Sequence, residues 1–346
     1  MSSIFIGSTP RRRIRTLMVF IDGLGIGLND PRINPLARPC FPNLRDLLRN
    51  AVSIDATLGV AGLPQSATGQ TTLLTGVNAA QLVRRHVEGF PGPTLRALIR
   101  RRNLLSEMVT RGYRAAFANA YYLEDSDASA RMRHPSVTTV AALSAFGFVR
   151  DAAHMMRQEA VYQDLTREAL RIRGYSGPLL SPESAARHLL GLAKREDFTL
   201  FEYFQTDRVA HRGNETEQIR VLDELDRFLG VLRSFAKQRD RLFVLCSDHG
   251  NLEDSRTSTH TMNPVPFVAV GSGAKRLKSR VRSLIDVTPE LLNLYPGHAC
   301  FSLSWPAASR VQKAPNSTVA KVVIGDVSRK SSRVTRNSST RRTVLS

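Results

Sequence analysis

The stretch Cys246-Ser247-Asp248-His249-Gly250-Asn251, followed by His260-Thr261-Met262-Asn263-Pro264-Val265-Pro266, decides how this chain reads. It places Asp248, His249 and His260 within 13 residues at the end of an apolar run, Leu242-Phe243-Val244-Leu245, whose length and composition predict a buried strand. A carboxylate and two imidazoles delivered by a rigid strand end suit zinc or manganese. Taken alone, Asp-His-Gly is also an ordinary exit from a strand into a turn, so the rest of the chain must decide.

Three upstream segments supply the company. Leu17-Met18-Val19-Phe20-Ile21-Asp22-Gly23 is a second apolar run that ends in a carboxylate and a glycine. Thr199-Leu200-Phe201-Glu202-Tyr203-Phe204 is a third, and it leads into Thr206 to Gly213, where Asp207 and His211 are four apart and share one face of a helical turn. Gly62-Leu63-Pro64-Gln65-Ser66-Ala67-Thr68-Gly69-Gln70-Thr71-Thr72 is a glycine- and hydroxyl-rich loop running into an expected helix from Leu73 to Arg85. Each fragment has a bland explanation. Their joint occurrence, each at a strand's carboxyl end or a helix's amino end, points to one site.

Working outward, strands are expected at 16–22, 52–56, 114–118, 198–204, 241–247 and 265–270, with helices at 42–49, after 71, and at 104–110. That alternation predicts an α/β fold with a mostly parallel sheet sandwiched by helices, and such sheets gather ligands at the carboxyl ends of their strands. Between 121 and 195 the rhythm changes, with a helix expected from Tyr162 to Arg173, and this segment reads as a small inserted lid. Residues 1–13 read as a flexible arm, 14–305 as the metalloenzyme domain, and 306–346 as a basic tail.

Composition narrows the function classes. The 346 residues are enough to bury a full core. Three cysteines, Cys40, Cys246 and Cys300, are too few and too scattered for a disulfide framework or a thiolate zinc site. No run of about 18 apolar residues is present, so no spanning helix is expected. Arg11-Arg12-Arg13 precedes an apolar run that Asp22 interrupts, without a small-residue cleavage site, so a cytoplasmic location is expected. The net charge of +19 invites a nucleic-acid reading, yet the segment from Pro306 holds nine Lys/Arg against the single acid Asp326. Its composition matches disorder, and nucleic acid is expected to bind only weakly, through that tail.

Two competing motifs fail on spacing. Asp22-Gly23-Leu24-Gly25-Ile26-Gly27 follows a strand as a dinucleotide fingerprint does, but Leu28 occupies the third glycine's slot and the acid precedes the glycines. The Gly62–Thr72 loop lacks the lysine and the glycine spacing of a P-loop. What remains is a hydroxyl beside free N–H groups at a helix start, which suits a nucleophile attacking phosphorus.

Together the segments resemble the metalloenzyme domain of the alkaline phosphatase superfamily, above all cofactor-independent phosphoglycerate mutase and phosphopentomutase. The likeness covers about 15–120 and 196–300. It implies two divalent ions, zinc or manganese, one held by Asp207, His211 and His260, the other by Asp22, Asp248, His249 and the nucleophile's hydroxyl. Counting from Gly62-Leu63-Pro64, it implies Thr71 as that catalytic hydroxyl, with Thr72 and Thr68 as alternatives. Two cations about 4 Å apart would activate the hydroxyl and neutralise the leaving oxygen. Arg85, His86 and Asn119 are candidates for holding the substrate, while His134, His154, His188 and His298 are expected to be structural or exposed.

The implied activity is hydrolysis of a phosphate mono- or diester through a phosphothreonine, with a phosphorylated small molecule as partner. A phosphomutase or a catalytically inactive metal-binding relative are the alternatives. Only 135 residues separate Thr71 from Asp207, less than the mutases' large insertion needs, and Cys40-Phe41-Pro42-Asn43-Leu44 lacks the arginine of a sulfatase motif.

Overall fold

The computed structural model describes residues 13–122 and 132–297. Chain order runs β1 (Arg15–Ile21), α1 (Pro42–Arg49), β2 (Val52–Ile54), α2 (Ser66–Thr75), α3 (Ala79–Val83), α4 (Pro93–Arg101), α5 (Leu104–Thr110) and β3 (Ala115–Phe117). It continues with β4 (Asn119–Ala120), α6 (Val137–Phe146), α7 (Ala152–Met156), β5 (Val161–Tyr162), α8 (Pro182–Ala193), β6 (Phe198–Tyr203) and α9 (Gln205–Arg212). The last elements are α10 (Glu215–Leu232), β7 (Arg241–Cys246), β8 (Val265–Gly271), α11 (Ala274–Arg280) and α12 (Leu284–Leu292).

The main sheet has the order β2-β8-β7-β1-β6-β3. β7, β1, β6 and β3 are mutually parallel, while β8 runs antiparallel to both β7 and β2. Strand β1 explains the layering. Its residues 17–21 are fully buried because both faces of the sheet are covered, the pattern expected of a central parallel strand. Met18 and Phe20 point into one core, with α2, α5, α6 and α12, and Leu17, Val19 and Ile21 into the other, with α1, α8 and α10. This two-residue alternation divides the apolar side chains between two helical layers.

Four parallel strands therefore end on one edge of the sheet, and β1, β6 and β7 release Asp22, the Asp207 turn and Asp248 there.

Three expectations change. Helix α2 begins at Ser66, seven residues before the expected start, and ends at Gly76, whose left-handed φ of 69° closes it. The segment Tyr162–Arg173 is a short strand followed by a 3-10 turn at Glu168–Arg173. Asp164 accepts from the amides of Arg167 and Ala169 and holds that turn in place of a regular helix. Residues 121–195, read as one lid, divide in space. Helices α6 and α8 belong to the two main cores, whereas Met155, Ala160, Tyr162, Leu170 and Tyr175 form a small separate cluster with Ala120. Residues 1–12, the rest of the expected arm, and the expected tail 306–346 lie outside the described residues, as does His298.

Candidate metal centre

Asp22 follows β1 directly, and its backbone is fixed on both sides. Its N–H donates to the Tyr203 carbonyl at 2.9 Å, and the Thr206 hydroxyl donates to its carbonyl at 2.5 Å. Gln70 of α2 donates its side-chain N–H to Asp22 Oδ2 at 3.1 Å, which turns Oδ1 toward His249. Helix α9 starts one residue after β6, so Asp207 lies in its first turn and His211 one turn on, with Asp207 Oδ1 3.4 Å from His211 Nε2. His260 returns to the same place because the loop after β7 closes on itself, where the Thr261 N–H donates to the Gly250 carbonyl at 3.0 Å.

Two groups of ligand atoms result. Asp207, His211 and His260 form one, and Asp22, Asp207 and His249 the other, the atoms of each lying within 4.8 Å of one another. Asp248 joins the second, with Oδ2 3.5 Å from His249 Nε2. The structure thus brings together Asp22, Asp207, His211, Asp248, His249 and His260.

The donor chemistry fits cations. His211 Nδ1 is 2.7 Å from the Ser258 carbonyl, and His260 Nδ1 is 2.8 Å from the Pro64 carbonyl. A carbonyl only accepts, so each Nδ1 carries the proton and each Nε2 presents a lone pair. Those two Nε2 atoms are 3.0 Å apart, close enough for both to serve one cation. Asp22 Oδ1 and Asp248 Oδ2 are buried and, beyond their approach to His249 Nε2, have no hydrogen-bond partner among the described residues. Three carboxylates and three imidazoles converging on one site are the donor set that divalent ions take.

The protonation shifts point the same way. Asp248 rises well above the usual carboxylate range because it is fully buried and faces Asp22. His249 is pulled down by burial but lifted more by the carboxylates of Asp248 and Asp22, to about 10. His260 is lowered by burial and by the neighbouring charge of His249, whose ring stacks on it at 3.7 Å. Without cations, protons are drawn into the cluster instead.

Thr71 is not at this centre. Because α2 starts at Ser66, Thr71 falls in its second turn, where its buried hydroxyl donates back to the Ala67 carbonyl at 2.6 Å. Thr72 likewise donates to Thr68, and Thr68 to Gln65, so the alternatives are also held by the backbone. The hydroxyl that meets the cluster is Ser66 Oγ, 3.0 Å from His249 Nε2. The signal missed in the sequence is Gly69. A Cβ there would lie 3.0 Å from Asp248 Cβ, so the glycine lets the start of α2 lie against Asp248 and fixes Ser66 as the residue one turn before it. The free N–H groups of the first turn flank that hydroxyl.

Glu253 was also unread, and it ties the loops together. Its Oε2 accepts from the N–H groups of Gly25 and Asn251 at 2.9 and 2.8 Å, and its Oε1 from the Thr261 hydroxyl and, at 3.0 Å, Asn263 Nδ2. Its carboxylate fills the space that a Cβ on Gly25 or Gly250 would need. The fingerprint-like glycines after β1 thus make room for an acid from the other loop.

A cavity of about 710 Å³ opens over Asp22, Ser66, Asp207 and His211. Its walls include Phe90, Tyr121, Tyr122, Tyr162 and Phe204, and the cations Arg173, Arg208 and Arg212. Of the expected substrate residues, Asn119 reaches the wall, but its amide is spent on the backbone of Glu202, at 2.7 and 2.8 Å. Arg85 and His86 line a different, smaller cavity, because the turn after α3 carries them away and sets His86 Nε2 3.2 Å from the Val60 carbonyl. His134, expected to be structural or exposed, lines the large cavity against Phe90, whereas His154 caps α7 by pairing with Asp151.

The cofactor-independent phosphoglycerate mutase of Paracoccus denitrificans is 31% identical over 123 residues, 34% of this chain and 24% of that enzyme. That of Desulforudis audaxviator is 30% identical over 125 residues, 33% and 25% of the respective chains. The chain thus spans about a quarter of the length of these curated relatives. Among solved structures, alkaline phosphatase from the Antarctic bacterium TAB5 superposes with a TM-score of 0.50 at 11% identity, covering 83% of this chain and 99% of that one. A protein from Pyrococcus horikoshii gives 0.51 at 13%, covering 82% and 97%. These two establish a shared fold. A family model of the Metalloenzyme superfamily matches residues 14–296, nearly all of the described chain, and the protein belongs to that superfamily.

Proposed function

We propose that this chain is a metal-dependent phosphoryl-transfer enzyme that hydrolyses a phosphate ester through a phosphoserine on Ser66. The observation that carries it is the meeting of Ser66 Oγ, Asp22 Oδ1 and Asp248 Oδ2 on His249 Nε2, at 3.0, 3.1 and 3.5 Å. Asp22, Asp248, His249 and Ser66 would hold one divalent cation, and Asp207, His211 and His260 the other. Zinc and manganese both suit a mixed carboxylate and imidazole set. When bound, the cations supply positive charge beside the phosphoryl oxygens and lower the pKa of the serine hydroxyl.

The chain's own groups do the rest. Ser66 Oγ attacks phosphorus and gives its proton to solvent, the bond to the ester oxygen breaks, and that oxygen leaves as the alcohol by taking a proton from solvent. The amides of the first turn of α2 and the guanidinium groups on the cavity wall bind the transferring phosphoryl oxygens. Water then attacks the phosphoserine, releasing phosphate and restoring the hydroxyl. The aromatic wall and the volume fit an ester whose leaving group has a planar or apolar part.

The relatives favour a second reading, in which the phosphoryl group returns to another hydroxyl of the same molecule. Metal-loaded protein incubated with aryl, nucleoside and glycerate phosphates separates the two, since hydrolysis releases inorganic phosphate and transfer yields an isomer. Acid-quenched phosphoprotein should carry its label on Ser66. Ser66→Ala should abolish turnover while Thr71→Val retains it, and the reverse pattern would sink the assignment.

A further inference from the structure

The opposite edge of the sheet carries a second cavity, of about 490 Å³, at the starts of β1, β3, β6 and β7. Five arginines line it: Arg13, Arg15, Arg114, Arg239 and Arg241. Asp197 and Asp240 are the acids on its wall. With strands of six or seven residues at about 3.3 Å each, it lies about 20 Å from the Ser66 end.

The cations are built into the fold. Arg15 opens β1 and Arg241 opens β7, and the two are partners in register on adjacent parallel strands, so the sheet itself holds like charges side by side. Arg241 is only 9% exposed, and its guanidinium lies over the Phe235 ring at 5.0 Å. One terminal nitrogen of that guanidinium is buried and has no hydrogen-bond partner among the described residues. Asp197 already accepts from the Arg114 N–H at 3.0 Å and lies 3.6 Å from Arg13. No salt bridge to Arg15 or Arg241 is found among the described residues. Burial, followed by the charge of Arg15, pushes the pKa of Arg241 down against the opposing charge of Asp240, a direction that an anion in the cavity would reverse.

A buried N–H donor without an acceptor is costly, and guanidinium groups match the oxygens of phosphates in planar, paired hydrogen bonds. We propose that this cavity binds a small, multiply charged phosphate-class oxyanion, of the size of pyrophosphate, at the end of the sheet remote from the metal centre. The recess favours a compact ion over a nucleic-acid strand, because Arg241 is only 9% exposed.

The test is calorimetric titration of EDTA-treated protein with inorganic pyrophosphate, and separately with inorganic phosphate, at about 50 mM salt to limit screening. The variants are Arg15→Met, Arg241→Met and, as the control for the catalytic cavity, Arg208→Met. One saturable pyrophosphate site is expected, tighter than for phosphate. Arg15→Met and Arg241→Met should weaken it by about tenfold or more, while Arg208→Met leaves it unchanged. Arg15 is partly exposed, so its variant decides the matter if Arg241→Met does not fold. No saturable binding, wild-type affinity in Arg15→Met, or an equal loss in Arg208→Met would each overturn the proposal.

Discussion

Replacing Glu253 with alanine removes a buried carboxylate that accepts four hydrogen bonds from the loops after β1 and β7. Hydrogen bonds to a charged group contribute about 1.5–3 kcal/mol each, and they do not add fully when they share one acceptor. The loss also leaves the Gly25 and Asn251 amides buried beside a cavity. A total of about 3–5 kcal/mol follows, a large share of the 5–15 kcal/mol typical of a folded domain. At about 2–4 °C per kcal/mol, the midpoint of thermal unfolding should fall by about 6–20 °C. Glu253→Gln keeps the shape but turns one acceptor into a donor that faces two donors, so about half that loss is expected. Because the loops tied by Glu253 carry Asp22, Asp248, His249 and His260, the affinity for Mn²⁺ or Zn²⁺ should fall in both variants. Calorimetric melting of metal-free protein, paired with metal titration, reads both effects. A Glu253→Ala midpoint within about 2 °C of wild type, with unchanged metal affinity, would show that the loops hold their geometry without this acid.

Other perturbations test separate parts. His211→Ala should lower metal occupancy as well as turnover, since its Nε2 lies 3.0 Å from that of His260; elemental analysis showing full occupancy would refute its role as a ligand. Chelation should lower the melting temperature of the wild-type protein by several degrees, because a cation present at about 1,000 times its Kd contributes about 4 kcal/mol. Glu202 is buried on the cavity wall and desolvation raises its pKa to about 8, opposed by the Thr138 hydroxyl and aided by Asp22. The folded protein then keeps a proton that the unfolded chain releases above about pH 4.5, so stability falls as pH rises from there to about 8. In urea unfolding of metal-free protein, Glu202→Gln should therefore gain roughly 3–5 kcal/mol relative to wild type between pH 5 and pH 8, and parallel pH profiles would contradict the burial argument.

Much of the fold was legible because β1 and β7 are apolar on both faces and each leads into a chemically marked segment. Leu17 to Ile21 followed by Asp22 could be read as strand and ligand together, and the spacing of Asp207 and His211 follows from one helical turn. Local sequence therefore determined the α/β class, the six imidazole and carboxylate candidates and their order along the chain. It could not determine where helix α2 starts, since no side-chain cap marks Gln65 and the boundary is set by Gly69 resting on Asp248, some 180 residues away. That one boundary decides that the hydroxyl meeting the cluster is Ser66 and not Thr71. The roles of Glu253, whose partners lie on both sides of the sheet's carboxyl edge, and of Arg241, whose neighbour Arg15 is adjacent only through strand pairing, likewise exist only once β1 and β7 lie side by side. Periodicity and caps are local and can be read along a chain, whereas the close approach of two backbones and the meeting of like charges are properties of tertiary packing.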